Sequence, residues 1–198
     1  MRAAAFLLLV FPAPGLAQAP KPVTAEFRIF AGAEEITATT RLRIMPSGER
    51  DKASVVAEGK ALVTQVPPGI YDVQALRLRQ EGIIAIRWAE RLVVMHYPDE
   101  AGRHLEVINF ASGYGALQLR AAEGSMSEHD VTVFPAGDHS SAAGEPFEGN
   151  GYRLFVLKAG TYDVRIRPAG AHDDADVQWF RDVEVPADRT RLKQVESR

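Results

Sequence analysis

The residues able to do chemistry are few and scattered. Histidines stand at His96, His104, His129, His139 and His172. No two fall at the spacing with which a helix or hairpin grips zinc, and the chain has no cysteine to complete a ligand set. One cluster has the composition of a cation loop, His172-Asp173-Asp174-Ala175-Asp176. Three carboxylates bind calcium weakly, and a calcium loop ordinarily adds more oxygen ligands and an internal turn glycine. A solvated hairpin loop is therefore expected there, with no metal or cofactor. Serine, histidine and aspartate all occur, but no Gly-x-Ser-x-Gly elbow does. The glycines of 144–151 lack the lysine and helix of a phosphate loop. No catalytic set emerges, and the chain is not expected to be an enzyme.

The sequence is organised around a stretch that occurs twice. Pro67-Pro68-Gly69-Ile70-Tyr71-Asp72-Val73 is answered by Lys158-Ala159-Gly160-Thr161-Tyr162-Asp163-Val164, 91 residues later. Tyr71 to Trp88 and Tyr162 to Trp179 are both 17 residues. Gly69 and Gly160 suit a reversal, with Pro68-Gly69 at the centre of a type II turn. The alternation that follows is that of a strand with one wet face. In the first copy it shifts phase after Ala75, which predicts a bulge near that residue. Gly-x-Tyr-x-Val matches the tyrosine corner of immunoglobulin-like sandwiches, so Tyr71 and Tyr162 are expected to be buried. Trp88 and Trp179 alternate with aliphatic residues and are also expected in the core. The next in-phase residues are charged, Glu90 and Arg181, which predicts a broken or bulged strand at that point.

The elements that position these residues read as short strands throughout. No segment keeps a 3.6 period over ten residues. Strands are expected around Phe27, Leu42, Val66, Val73, Ile86, Val94 and Val107, and again around Leu119, Val133, Val156, Val164, Trp179, Val185 and Leu192. The small residues of 109–115 mark a boundary. The expected fold is all-β, two tandem Greek-key sandwiches of immunoglobulin-like or prealbumin-like kind with about seven strands each, over 20–112 and 113–198.

Composition sets further bounds. The 198 residues are 25% charged and 46% hydrophobic with net charge −3, which leaves no footprint for nucleic acid. Met1-Arg2 and the apolar run from Ala3 to Phe11 read as a signal peptide over 1–17, with cleavage after Ala17 preferred to cleavage after Ala19. No later segment is long enough to span a bilayer, and no cysteine follows to carry a lipid. Export to the periplasm or beyond is expected. Without disulfides, each unit rests on its own apolar core.

Tyr114-Gly115-Ala116-Leu117-Gln118-Leu119, Leu157-Lys158-Ala159-Gly160-Thr161-Tyr162-Asp163-Val164 and Asp182-Val183-Glu184-Val185-Pro186 together resemble the prealbumin-like modules grouped with carboxypeptidase regulatory-like domains. The first half matches through Val66 to Val73. The resemblance implies a non-catalytic accessory, spacer or adhesion unit that binds an envelope or extracellular protein. The hydrolases that share the transthyretin fold carry a C-terminal tetrapeptide that Lys193-Gln194-Val195-Glu196-Ser197-Arg198 lacks. A carbohydrate-binding accessory module is the alternative. It requires exposed aromatic side chains on one face, for which Tyr97, Tyr114, Phe147 and Tyr152 are the candidates. The polar loop over 137–151 is a second candidate binding element.

Overall fold

The computed structural model describes residues 20–52, 55–80, 82–96, 103–122, 125–149, 151–171 and 177–196. The expected signal peptide, Tyr97 and the 172–176 cluster lie outside the described residues. The fold is an all-β sandwich. Its first strands are β1 (Val23–Ala31), β2 (Glu34–Glu35), β3 (Thr40–Pro46), β4 (Val55–Ala57), β5 (Leu62–Val66), β6 (Gly69–Arg79), β7 (Gly82–Val94) and β8 (Arg103–Asn109). Then come β9 (Tyr114–Ala121), β10 (His129–Pro135), β11 (Phe147–Gly149), β12 (Tyr152–Lys158), β13 (Gly160–Pro168), β14 (Gln178–Val185) and β15 (Thr190–Val195). Two single-turn 3-10 helices, Thr37–Thr39 and Met126–Glu128, precede β3 and β10.

The strands form four sheets. Sheet A holds β1 between β8 on one side and β2 and β5 on the other; sheet B runs β4-β3-β6-β7. Sheet C runs β11-β12-β9-β15 and sheet D runs β10-β13-β14. In each half the last strand pairs in parallel with the first, β8 with β1 and β15 with β9. The immunoglobulin order sets the first two strands side by side. Here β1 and β3 lie in different sheets, because β1 is already paired along both edges.

Three apolar layers hold the sheets together. Phe27, Ile29, Leu42, Ile44, Val73 and their neighbours fill the space between sheets A and B. Leu117, Leu119, Phe155, Val164 and Val185 do the same between C and D. The third layer was not expected. Phe30 and Leu105 of sheet A meet Ala116, Tyr152, Leu154 and Val156 of sheet C. The order of stacking is thus B, A, C, D. β12 is buried on both faces, which explains its nearly unbroken apolar sequence.

Polar groups also cross the middle layer. The Tyr152 hydroxyl donates to Glu26 Oε1 at 2.7 Å, and the buried Arg120 guanidinium donates to the Arg103 carbonyl at 2.8 Å. Arg28 donates from Nε to Glu35 at 3.0 Å and from Nη1 to the Glu148 carbonyl at 3.3 Å. A Cβ on Gly149 would stand 1.9 Å from the Tyr152 ring, so only glycine lets that ring lie flat across β11.

Two features of the repeat differ from expectation. Gly69 and Gly160 are absent from the left-handed backbone region; they open β6 and β13. Positive-φ glycines stand instead at Gly48 (φ 85°) and Gly137 (φ 77°), in the turns that follow β3 and β10, each closed by a 3.0 Å bond, Glu49 to Pro46 and Asp138 to Pro135. There is also no bulge at Ala75, since β3 pairs with β6 without interruption from Thr40↔Arg77 to Pro46↔Tyr71. The irregularities lie on the other side of β6. Its register with β7 shifts between Tyr71 and Val73 and again between Arg77 and Leu78.

Candidate functional site

The expected bulge at Glu90 and Arg181 is present, and its geometry shows what the repeated motif does. Tyr71 pairs with Leu92 but Val73 pairs with Ala89, so β7 carries an extra residue opposite Asp72. Tyr162 pairs with Val183 and Val164 with Phe180, so β14 carries one opposite Asp163. Arg91 (φ 56°) and Asp182 (φ 54°) take the left-handed conformation at these bulges.

The repeated aspartate holds each bulge. Asp72 Oδ1 accepts from the Arg91 backbone N–H at 3.0 Å and from Ser47 Oγ at 3.2 Å. Its other oxygen accepts from Gly48 N–H and Arg50 Nε, both at 3.4 Å. Asp163 Oδ1 accepts from the Asp182 N–H at 3.1 Å, and Oδ2 from the Gly137 N–H at 3.1 Å and Arg181 Nη1 at 2.9 Å. His139 Nε2 lies 2.7 Å from Asp163 Oδ2 and 2.6 Å from Arg181 Nη1, so its tautomer decides which bond it makes. One carboxylate thus ties the turn at the end of one strand to a bulge two strands away. Sequence reasoning missed these aspartates. Their signal was that Tyr-Asp-Val stays intact in both copies while flanking residues change.

A guanidinium completes each station, and it arrives by a different route. In the first half Arg50 comes from the turn, stacks 4.7 Å from the Trp88 ring, and pairs with both Asp72 and Glu90. In the second half Arg181 comes from the bulge and stacks 4.0 Å from the Trp179 ring. His139 occupies the turn position and packs on Trp179 at 4.8 Å and on Phe134 at 5.3 Å.

This placement overturns the expectation that Trp88 and Trp179 are core residues. Both are half-buried on the outer faces of sheets B and D, while Ala89 and Phe180 turn inward. The reason is the bulge itself. An extra residue reverses the face of everything on one side of it. With Leu92, Val94, Val183 and Val185 facing the core, the tryptophans before the bulge face out. The tyrosines do sit as expected: Tyr71 and Tyr162 are buried, and their hydroxyls donate to the Pro67 and Lys158 carbonyls at 2.7 and 2.6 Å. Tyr71→Phe and Tyr162→Phe should each cost about 0.5–1.5 kcal/mol, the net worth of the hydrogen bond that is lost. Trp88→Ala and Trp179→Ala should each cost only about 1–2 kcal/mol, below the roughly 3–5 kcal/mol of a fully buried aromatic. Urea melts of the four variants test the placement, and tryptophan losses of about 3 kcal/mol or more would refute it.

The carboxylate is a structural anchor rather than a free base. His139, the two backbone N–H groups and Arg181 hold the Asp163 carboxyl well below the usual carboxylate range. The Arg91 N–H, with Gly48, Ser47 and Arg50, lowers that of Asp72. A lowered folded-state value means stability that is complete above the unfolded value, about 3.9, and is lost as pH falls below it. The melting temperature should therefore drop as pH falls from about 5 to about 2. Asp163→Asn should lower the melting temperature at neutral pH and flatten this acid slope. An unchanged slope would show that the carboxylate does not supply it.

The other candidates are dispersed. His96 Nε2 meets the Lys21 carbonyl at 2.9 Å, His104 Nε2 meets Glu106 at 2.8 Å, and His129 Nδ1 meets the Ser125 carbonyl at 3.4 Å. Among the described residues no group of three or more acidic or histidine side chains could hold a metal ion. Tyr152 is buried in the middle layer, and Tyr114 and Phe147 pack against it. Tyr114 and Phe147 also line a cleft of about 580 Å³ together with Ala143, Gly144 and Glu145 of the polar loop.

The surface itself distinguishes the two halves. Among the described residues, the large hydrophobic side chains that stand exposed all fall within 56–95, including Ile70 and Val93 at 47% and Ile86 at 54%. The outward cross-strand pair Ile70↔Val93 is Thr161↔Glu184 in the second half.

No family model matches the chain, and no curated protein matches it. Among solved structures it is similar to the Bacillus anthracis TIE protein, at 14% identity and a TM-score of 0.31, covering 89% of this chain and 34% of that one. The chain thus spans about a third of that protein. A Bacteroides ovatus protein described as a candidate adhesin is 10% identical with a TM-score of 0.30, covering 98% of both chains. A candidate cell-adhesion protein of the same organism is 10% identical with a TM-score of 0.27, covering 90% of this chain and 93% of that one. Likeness of this degree lends neither an activity nor a partner.

Proposed function

We propose that the protein is a non-catalytic, exported interaction protein. In this reading a signal peptide over 1–17 precedes two β-sandwich modules, 20–112 and 113–198, of prealbumin-like, carboxypeptidase regulatory-like kind, and the protein binds an envelope or extracellular protein partner. The observation that carries it is the contrast between the halves. The fold does not need apolar side chains at Ile70 and Val93, because Thr161 and Glu184 serve at the same places in the second half. Apolar surface that folding does not require, gathered on one rigid sheet, marks a contact surface. The strand order favours the prealbumin-like over the immunoglobulin-like plan, since β1 and β3 occupy different sheets.

The test is retention of a partner from envelope extract by the mature protein. The double variant Ile70→Thr, Val93→Glu carries residues the second half tolerates, so it should fold and lose the partner. Equal retention by wild type and variant, or no retained protein at all, would overturn the reading. Carbohydrate binding is the second reading, favoured by the cleft where Tyr114 and Phe147 meet. A glycan panel with Phe147→Ala as control decides it.

A further inference from the structure

The free edge of the first half adjoins the apolar face, and the two together specify a kind of partner. Among the described residues β7 pairs only with β6, so its other edge offers unpaired N–H and C=O groups. Proteins blunt such edges with charge and short length. β14, the corresponding strand, follows that practice: it is 8 residues long and carries Arg181, Asp182 and Glu184. β7 carries charges too, Arg87, Glu90 and Arg91, but differs in length and in its apolar display. It is 13 residues long and displays Ile83, Ile84, Ile86 and Val93. A groove runs beside it, floored by Val107 and Ile108 of β8 and walled by Asp188 and Arg189.

The charges around this edge have one sign to spare. On β7 itself Arg91 forms no ion pair among the described residues, whereas Glu90 is already taken by Arg50 and Arg87 by Asp188. A second copy of the chain fits poorly in the antiparallel register centred on Ala89, which sets Arg87 opposite the copy's Arg91. An anionic membrane fits poorly too, because the apolar residues of β7 are interrupted by the exposed Glu90.

We propose that β7 is an acceptor edge for an extended, acidic polypeptide strand with apolar side chains at alternate positions. This rests on the protein-partner reading above. The incoming strand adds main-chain hydrogen bonds to β7. Its apolar side chains lie beside Ile86 and Val93, and a carboxylate meets Arg91.

The experiment uses the whole mature protein and two synthetic peptides, one alternating valine with glutamate and one alternating valine with lysine. The acidic peptide should bind and slow amide exchange along β7, and the basic one should bind about tenfold more weakly or not at all. Arg91→Glu and Ile86→Thr should each weaken the acidic peptide about tenfold, with the melting temperature unchanged. Exchange protection elsewhere, equal affinity for the basic peptide, or no binding would overturn the proposal. Capture by anionic vesicles in place of the acidic peptide would assign the face to lipid, and concentration-dependent self-association protecting β7 would assign the edge to a second copy; either also overturns it. If envelope extract still yields a partner for Arg91→Glu at wild-type level, the general interaction reading stands and this edge proposal falls.

Discussion

Tyr152→Ala should destabilise the protein by about 3–5 kcal/mol, the range for truncating a buried aromatic. The ring is 2% exposed at the centre of the layer between sheets A and C, with the Arg120 guanidinium 5.7 Å from its centroid. Its hydroxyl is the donor to Glu26 Oε1, so truncation opens a cavity and strips a half-buried carboxylate of a partner at once. Tyr152→Phe separates the two effects. It keeps the ring and should cost about 1–3 kcal/mol. Denaturant melts of both variants provide the measurement. An alanine variant as stable as wild type would mean that the middle layer does not hold the halves together.

Cutting the chain between 112 and 113 should have the second large effect. Each half keeps its own apolar layer, so each fragment should retain a β-type circular dichroism spectrum. Each also exposes the former middle layer, Phe30 and Leu105 on one fragment and Tyr152, Leu154 and Val156 on the other. Alone, the fragments should melt well below the intact chain and self-associate. Mixed, they should form a one-to-one complex in sedimentation. Two fragments that stay monomeric and ignore each other would show that the layer contributes little. Two that fold only when mixed would place the whole chain in one cooperative unit.

How far the chain could be read in advance depended on the range of the interaction. The tyrosine corners were legible because a tyrosine bonding four residues back is a local event, written in Pro67 to Tyr71 and Lys158 to Tyr162. The strands were legible from alternation. The tryptophans were misplaced although their bulge was anticipated, because the bulge was not carried through to its effect on facing. Asp72 and Asp163 were invisible as anchors because they stand in the outward phase of their strands, where a carboxylate ordinarily meets water. Their donors come from Gly48, Gly137, Arg91 and Asp182, all remote in sequence. The middle layer needed β12 to be read as buried twice over, and the apolar run Leu154 to Leu157 was its one clue.

The different origin of the guanidinium in the two halves makes their parts non-interchangeable. A chimera that joins the first hairpin turn to the second bulge would crowd Arg50 and Arg181 onto one aspartate. The reciprocal graft would leave His139 and Glu90 around the other, without either guanidinium that stacks on a tryptophan, Arg50 or Arg181. Turn and bulge therefore have to change together within each copy, and a swap of either segment alone between the two halves is blocked even though both bulges carry the same one-residue register shift.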